Sequence, residues 1–215
     1  DYLGGSETNI YLDNIRIYGG DILPWNRSFP KGEENNEVLK FEETKEIQSE
    51  TVVIKDVEFD RGTLSNVSVI KRSGDIKAET DDDGNGIARM TADKKTAGGS
   101  YFDINDPAIA EHSRYIADVR FKVNKLSGNA SCGLFDAKDA NAVWRLGYMI
   151  KPGGIIVSRQ NGAKIGNYKE GQWIRYSFVY NINAGNVDIF CDGQYLTSNN
   201  IADSIFPEVF RVDLY

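Results

Sequence analysis

One stretch limits the folds open to this chain more than any other. In Tyr115-Ile-Ala-Asp-Val-Arg-Phe-Lys-Val123, residues Tyr115, Ala117, Val119, Phe121 and Val123 share one phase, and Asp118, Arg120 and Lys122 take the other. A period of two belongs to a β-strand with one face in a core; an amphipathic helix needs a period near 3.6. The same texture recurs at 130–136, 142–150, 154–159, 173–181, 186–192 and 208–215. Turn residues punctuate it: Asp139-Ala-Asn, Pro152-Gly-Gly, Asn161-Gly, Glu170-Gly, Asn183-Ala-Gly and Asp192-Gly. Short strands with a turn roughly every 8–12 residues predict an all-β sandwich or barrel. No segment carries a sustained helical stripe; a single turn near 107–111 is the exception.

The chain divides into three parts. Residues 51–215 hold the strand texture and form the folded domain. Residues 21–50 contain Pro24, Pro30, Gly32 and the run Glu33-Glu-Asn-Asn-Glu37, and read as an acidic connector, with 38–46 equally readable as a first edge strand. Residues 1–20 carry a strand whose phase slips: Ile10 and Leu12 share one parity, Ile15 and Ile17 the other. A slip at Asp13-Asn14 predicts a β-bulge, where one extra residue re-aims the strand. The first residue is Asp1 and Tyr215 ends a strand pattern, so the chain reads as a piece of something larger.

Charge narrows the partners. The 215 residues carry a formal net charge of −7, which argues against nucleic acid, since phosphate recognition needs clustered Lys and Arg. No run approaches the roughly 18 apolar residues of a membrane helix, so membrane insertion is not expected. Two cysteines, Cys132 and Cys191, are too few for a disulfide framework. Each sits in an apolar alternating run where a small buried thiol is the ordinary reading, and a bridge between them is the alternative.

Three stretches resemble a known family. Tyr11-Leu-Asp-Asn-Ile-Arg-Ile-Tyr-Gly19 resembles the closing strand of concanavalin A-like (laminin G-like) jelly-roll modules of secreted bacterial carbohydrate-active and cell-surface proteins. Gly171-Gln-Trp-Ile-Arg-Tyr-Ser-Phe-Val-Tyr180, followed by Val187-Asp-Ile-Phe-Cys-Asp-Gly193, resembles their central hairpin, and Val57-Glu-Phe-Asp60 their opening strand. The resemblance implies an antiparallel two-sheet jelly-roll sandwich. It also implies an extracellular or cell-surface, non-catalytic module that binds a polysaccharide or oligosaccharide. In the family the closing strand follows the segment that here ends the chain, so residues 1–20 read as a displaced closing strand. The expectation is that residues 9–18 pair beside residues 209–215, in cis or by strand exchange with a neighbouring copy. A structural or adhesion module without a sugar ligand is the alternative, and a polysaccharide lyase or hydrolase a third.

Sugar recognition needs flat aromatic faces and a few planar polar groups. Trp144, Arg145 and Tyr148 on one strand, with Tyr168 and Tyr176, are the candidate ligand-binding residues; Trp173 and Phe190 are also aromatic, but the resemblance implies that Trp173 is core. For a cation, Asp81-Asp-Asp-Gly-Asn-Gly86 places Asp81, Asp83 and Asn85 at the spacing of half a calcium loop, although Ala92 stands where such a loop has its bidentate Glu. A polar hairpin turn is the competing reading. The resemblance implies a second structural Ca²⁺ position between Asp13 and Glu58 or Asp60. Catalysis finds little support: His112 is the single histidine, and neither the Glu-x-Asp-x-x-Glu strand of retaining glycosidases nor a Gln-Ile-His strand occurs.

Overall fold

The computed structural model describes residues 8–20, 51–57, 59, 64, 67–71, 74–81, 84–92, 100–106, 114–126, 128–138, 144–145, 147–201 and 209–214. Among these residues sixteen strands follow in chain order: β1 Thr8–Gly20, β2 Thr51–Val57, β3 Ser68–Ile70, β4 Asp75–Thr80, β5 Gly86–Ala92, β6 Ser100–Asn105, β7 Arg114–Lys125, β8 Cys132–Lys138, β9 Trp144–Arg145, β10 Tyr148–Lys151, β11 Ile155–Ser158, β12 Lys164–Asn167, β13 Trp173–Asn181, β14 Asn186–Cys191, β15 Gln194–Asn200 and β16 Val209–Leu214. No helix occurs among the described residues, and so none long and apolar enough to cross a membrane.

Two antiparallel sheets make an all-β jelly-roll sandwich. The first runs β15-β14-β13-β7-β1-β5-β4, with β2 also on β1; the second runs β12-β11-β10-β8-β16-β6-β3, with β9 on β8. The alternation of residues 115–123 is realised in β7, where Tyr115, Ala117, Val119, Phe121 and Val123 are buried in the core. From the other layer Phe102, Leu134, Tyr148, Ile150, Phe210 and Val212 face them. Tyr115 stacks on its cross-strand neighbour Tyr180 at 4.6 Å within the first sheet, and rings interlock across the gap where Tyr115 meets the edge of Phe210 at 5.4 Å and Tyr148 stacks on Phe178 at 4.3 Å. Offset and edge contacts of this kind add to area burial because they match the ring quadrupoles.

The N-terminal strand is interior. β1 pairs along one edge with β7, and along the other with β5 through Thr8–Leu12 and with β2 through Ile15–Gly20. Its register on β7 shifts between Asp13 and Arg16, which is the bulge that the phase slip predicts, and it lets Ile10, Leu12, Ile15 and Ile17 all reach the core. The expected neighbour is corrected. Residues 209–214 form β16, which lies in the opposite sheet between β6 and β8, so β1 and β16 belong to different layers and do not pair. β1 pairs in cis.

Burial sets a pH signature. It pushes the Cys132 thiol well above its ordinary value, and it raises the Cys191 thiol to about 12, with the Asp192 carboxylate adding to the effect. Burial likewise raises the phenols of Tyr115, Tyr148, Tyr176 and Tyr180. A raised folded value means that the native state holds its proton more tightly than the unfolded chain. That stability is complete below the unfolded thiol value of about 8.5 and drains away as pH climbs toward the folded values. The melting temperature should therefore hold steady through neutral pH and fall above about pH 9, with the buried phenols of Tyr115, Tyr148, Tyr176 and Tyr180 ionising only as the chain unfolds. Tyrosinate signal from all the tyrosines before any loss of melting temperature would contradict the burial.

Candidate functional site

The outer face of the first sheet is built from the residues that strand alternation turns away from the core. Registers align them in rows. Trp173 on β13 lies opposite Lys122 on β7, Lys122 opposite Tyr11 on β1, Tyr11 opposite Arg89 on β5, and Arg89 opposite Lys77 on β4. At about 4.8 Å per strand this row of five spans about 19 Å. The next row along the strands holds Arg175, Arg120 and Asp13, and the one after it Ser177, Asp118 and Arg16.

The first row is aromatic and cationic. The Lys122 ammonium stands 5.1 Å from the centroid of Tyr11 and 5.1 Å from that of Trp173, and the Arg120 guanidinium lies 4.7 Å over Trp173. Trp173 and Tyr11 are both half-buried. Trp173 is thus on the surface and not in the core as the resemblance implies: Tyr176, Phe178 and Tyr180 take the inward phase of β13, which leaves 173, 175, 177 and 179 outward. Arg120 donates to Asp13 Oδ2 at 3.0 Å. Arg89 donates to Asn9 Oδ1 from Nε and Nη2, both at 3.2 Å, and reaches Glu79 at 3.5 Å. Lys77 pairs with Asp75 at 3.0 Å. Among the described residues no carboxylate pairs with Lys122.

Farther along the same face the environment turns apolar. Tyr18, Ile116, Val179 and Phe190 form a small buried cluster, and Phe190 meets the edge of Tyr195 at 5.6 Å. Beside it Asp118 is 1 % exposed. Its carboxylate accepts from Arg175 Nε at 2.9 Å, from Arg175 Nη2, and from Ser177 Oγ at 2.7 Å. Burial raises the Tyr18 phenol, with the Asp118 charge adding to the rise while Arg16 opposes it.

The sequence-based candidates disperse. Tyr148 and Tyr176 are core residues with 1 % and 0 % exposure, and Tyr168 is 5 % exposed. Tyr176 donates its hydroxyl to the Asn167 carbonyl at 3.0 Å and Tyr168 to that of Lys151 at 2.8 Å, so both fasten the sandwich internally. A ring with no open face offers a pyranose nothing to stack on. Trp144 and Arg145 form β9 against Lys138 and Ala137; their side chains lie outside the described part.

The cation candidates divide similarly. Asp13 is 5 % exposed and engaged with Arg120. Asp81 closes the β4–β5 hairpin: its Oδ1 accepts from the Asn85 amide at 2.8 Å, its Oδ2 from the Asn85 side chain at 3.2 Å, and its carbonyl from Gly84 at 3.1 Å. This is the polar-turn geometry, with Gly84 at φ +88. Glu58, Asp60 and Asp83 lie outside the described residues, as does His112. Among the described residues no three His, Cys, Asp or Glu side chains converge. Cys132 and Cys191 are free thiols in opposite sheets.

The outer face of the second sheet carries its own cation–aromatic contact. Arg211 makes a two-pronged contact with Asp103 at 2.7 and 2.8 Å, and its guanidinium lies 3.4 Å over the Tyr101 ring.

No family model matches the chain, and neither does any curated protein. Two solved structures do. One is a sialidase, with a TM-score of 0.42 and 15 % identity over 72 % of this chain; the chain spans only 14 % of the sialidase. The other is the alginate lyase AlgAT5 from polysaccharide lyase family 7, with a TM-score of 0.28 and 11 % identity over 68 % of this chain and 82 % of that one. Likenesses at this level carry no chemistry across to the present face.

Proposed function

We propose that the chain is a non-catalytic carbohydrate-binding module of an extracellular protein, and that it holds its glycan on the outer face of the first sheet. The observation that supports this reading is the cross-strand row of Trp173, Lys122, Tyr11 and Arg89. Two outward aromatic rings stand on rigid interior strands, flanked by side chains whose N–H groups suit sugar hydroxyls. Sites of this composition bind by laying the apolar face of a ring on an aromatic plane while a few polar groups fix orientation.

A glycan array followed by calorimetry tests the reading. The wild-type domain is expected to bind at least one oligosaccharide, and Trp173→Ala to weaken that binding at least tenfold while leaving the melting temperature close to wild type. Wild-type protein silent across the array, or binding untouched by both Trp173→Ala and Tyr11→Ala, would remove this face as a sugar site.

A protein-docking role has its own observation. Tyr195 and Leu196, 48 % and 42 % exposed, stand on β15, which among the described residues is an edge of the first sheet, and sheet edges are where another chain can add a strand. Self-association that Tyr195→Lys abolishes would favour that reading.

A further inference from the structure

We infer that the glycan is acidic, carrying carboxylate or sulfate groups, and that Lys122 is the residue that seats one of those anions. The inference rests on the glycan-binding reading above and adds the ligand's charge.

It begins with an imbalance. An ammonium with no carboxylate beside it is open to an anion from outside. Lys122 is half-buried between Tyr11 and Trp173, and the two ring faces supply its described contacts at 5.1 Å each. A cation over an aromatic ring keeps its full charge, so the two rings leave the ammonium able to take an anion as well. The surrounding carboxylates are committed elsewhere. Asp13 is bound to Arg120, Asp118 to Arg175 and Ser177, and Asp75 to Lys71 and Lys77.

The row itself extends the pattern. From Trp173 to Lys77 it contains three cations and two aromatic rings and no carboxylate. Lys122 and Arg89 stand two strands apart, about 10 Å, on either side of Tyr11. An acidic oligosaccharide lying across the strands rests a ring on Tyr11 or Trp173 and presents an anion to Lys122, while Arg89 stays with Asn9 and Glu79 and Lys77 with Asp75. A neutral glycan leaves Lys122 as it is. The chain as a whole is acidic, at −7, so this cationic row runs against the overall charge and is not one sample of a generally basic surface. Charge-assisted contacts to such anions are shorter and stronger than neutral ones.

The test is isothermal titration of wild type, Lys122→Met and Trp173→Ala with polygalacturonate, hyaluronan and chondroitin sulfate oligosaccharides. Carboxyl-reduced and desulfated counterparts, together with a neutral β-glucan, serve as the comparison. Methionine keeps the apolar stem of Lys122, and melting curves show that the variant is folded. The expected result is at least tenfold tighter binding of an acidic oligosaccharide than of its reduced or desulfated counterpart. That preference should vanish in Lys122→Met, and which removal abolishes it tells carboxylate from sulfate. Equal binding of acidic and neutral forms, weakened by Trp173→Ala but not by Lys122→Met, would overturn the acidic inference and leave the glycan reading standing. Binding of no probe by the wild type would overturn both.

Discussion

Deleting residues 1–20 is expected to abolish cooperative folding. The strand removed is not an edge that a sheet can spare. It joins β7, along one side, to β5 and β2 on the other, so its loss splits the first sheet and strands two ladders of backbone donors and acceptors. It also takes four aliphatic side chains that are 0 % exposed: Ile10, Leu12, Ile15 and Ile17. Truncating a buried Leu or Ile to Ala costs about 2–5 kcal/mol, so four together reach roughly 8–20 kcal/mol. That meets or exceeds the 5–15 kcal/mol by which a domain is ordinarily stable. Circular dichroism should show no sigmoidal melt, and a peptide of residues 8–20 added in trans should restore one by filling the vacant slot. Leu12→Ala alone should lose about 2–5 kcal/mol and remain folded. A truncated chain that still melts cooperatively near the full-length temperature would place β1 outside the fold's essential core.

What the sequence disclosed about this strand, and what it withheld, has a physical explanation. Alternation is local, so the inward phase of β7 and the bulge between Asp13 and Arg16 were both readable from side-chain order alone. Two-sidedness carried β13 and β14 equally well. β12 and β15 left little trace, since Lys-Ile-Gly-Asn and Gln-Tyr-Leu-Thr-Ser-Asn-Asn have no apolar phase of useful length; both lie at sheet edges, where neither face needs one. Pairing across the chain is another matter. Nothing in the order of residues says that Tyr11 will lie between Lys122 and Arg89, because register is fixed by long-range packing. The candidate face was therefore visible only as solvent-phase residues scattered over five strands. The inward placement of two aromatic candidates has a related reason: Tyr148 and Tyr176 occupy the inward phase of their strands, and the Tyr176 hydroxyl fastens to a backbone carbonyl there. Trp173 went the other way because β13 begins with an outward residue.

Asp118→Asn is expected to cost about 3–5 kcal/mol, the range for breaking a buried ion pair by neutralising one member. The position is outward by alternation, so a solvated carboxylate would be the default. It is instead 1 % exposed, because the adjoining row of Val179, Ile116 and Tyr18, with Phe190, closes over that part of the face. Burial raises the stakes of every contact the carboxylate makes. Arg175 donates from Nε and Nη2, its side chain only 11 % exposed, and Ser177 donates from Oγ. An asparagine keeps the shape but replaces one acceptor oxygen with an NH₂ group that faces donors, leaving the guanidinium short of its counter-charge. Arg175→Met should be similarly costly, while the double variant Asp118→Asn/Arg175→Met should lose less than the two single losses combined, since neither buried charge then remains alone. Denaturant melts of the four proteins give the coupling directly. A second reading comes from Tyr18: the Asp118 charge helps to raise its phenol, so the Tyr18 titration should move down in Asp118→Asn. A single variant within about 0.5 kcal/mol of wild type, as surface changes usually are, would mean that water reaches this carboxylate and that the pair is an ordinary surface bridge.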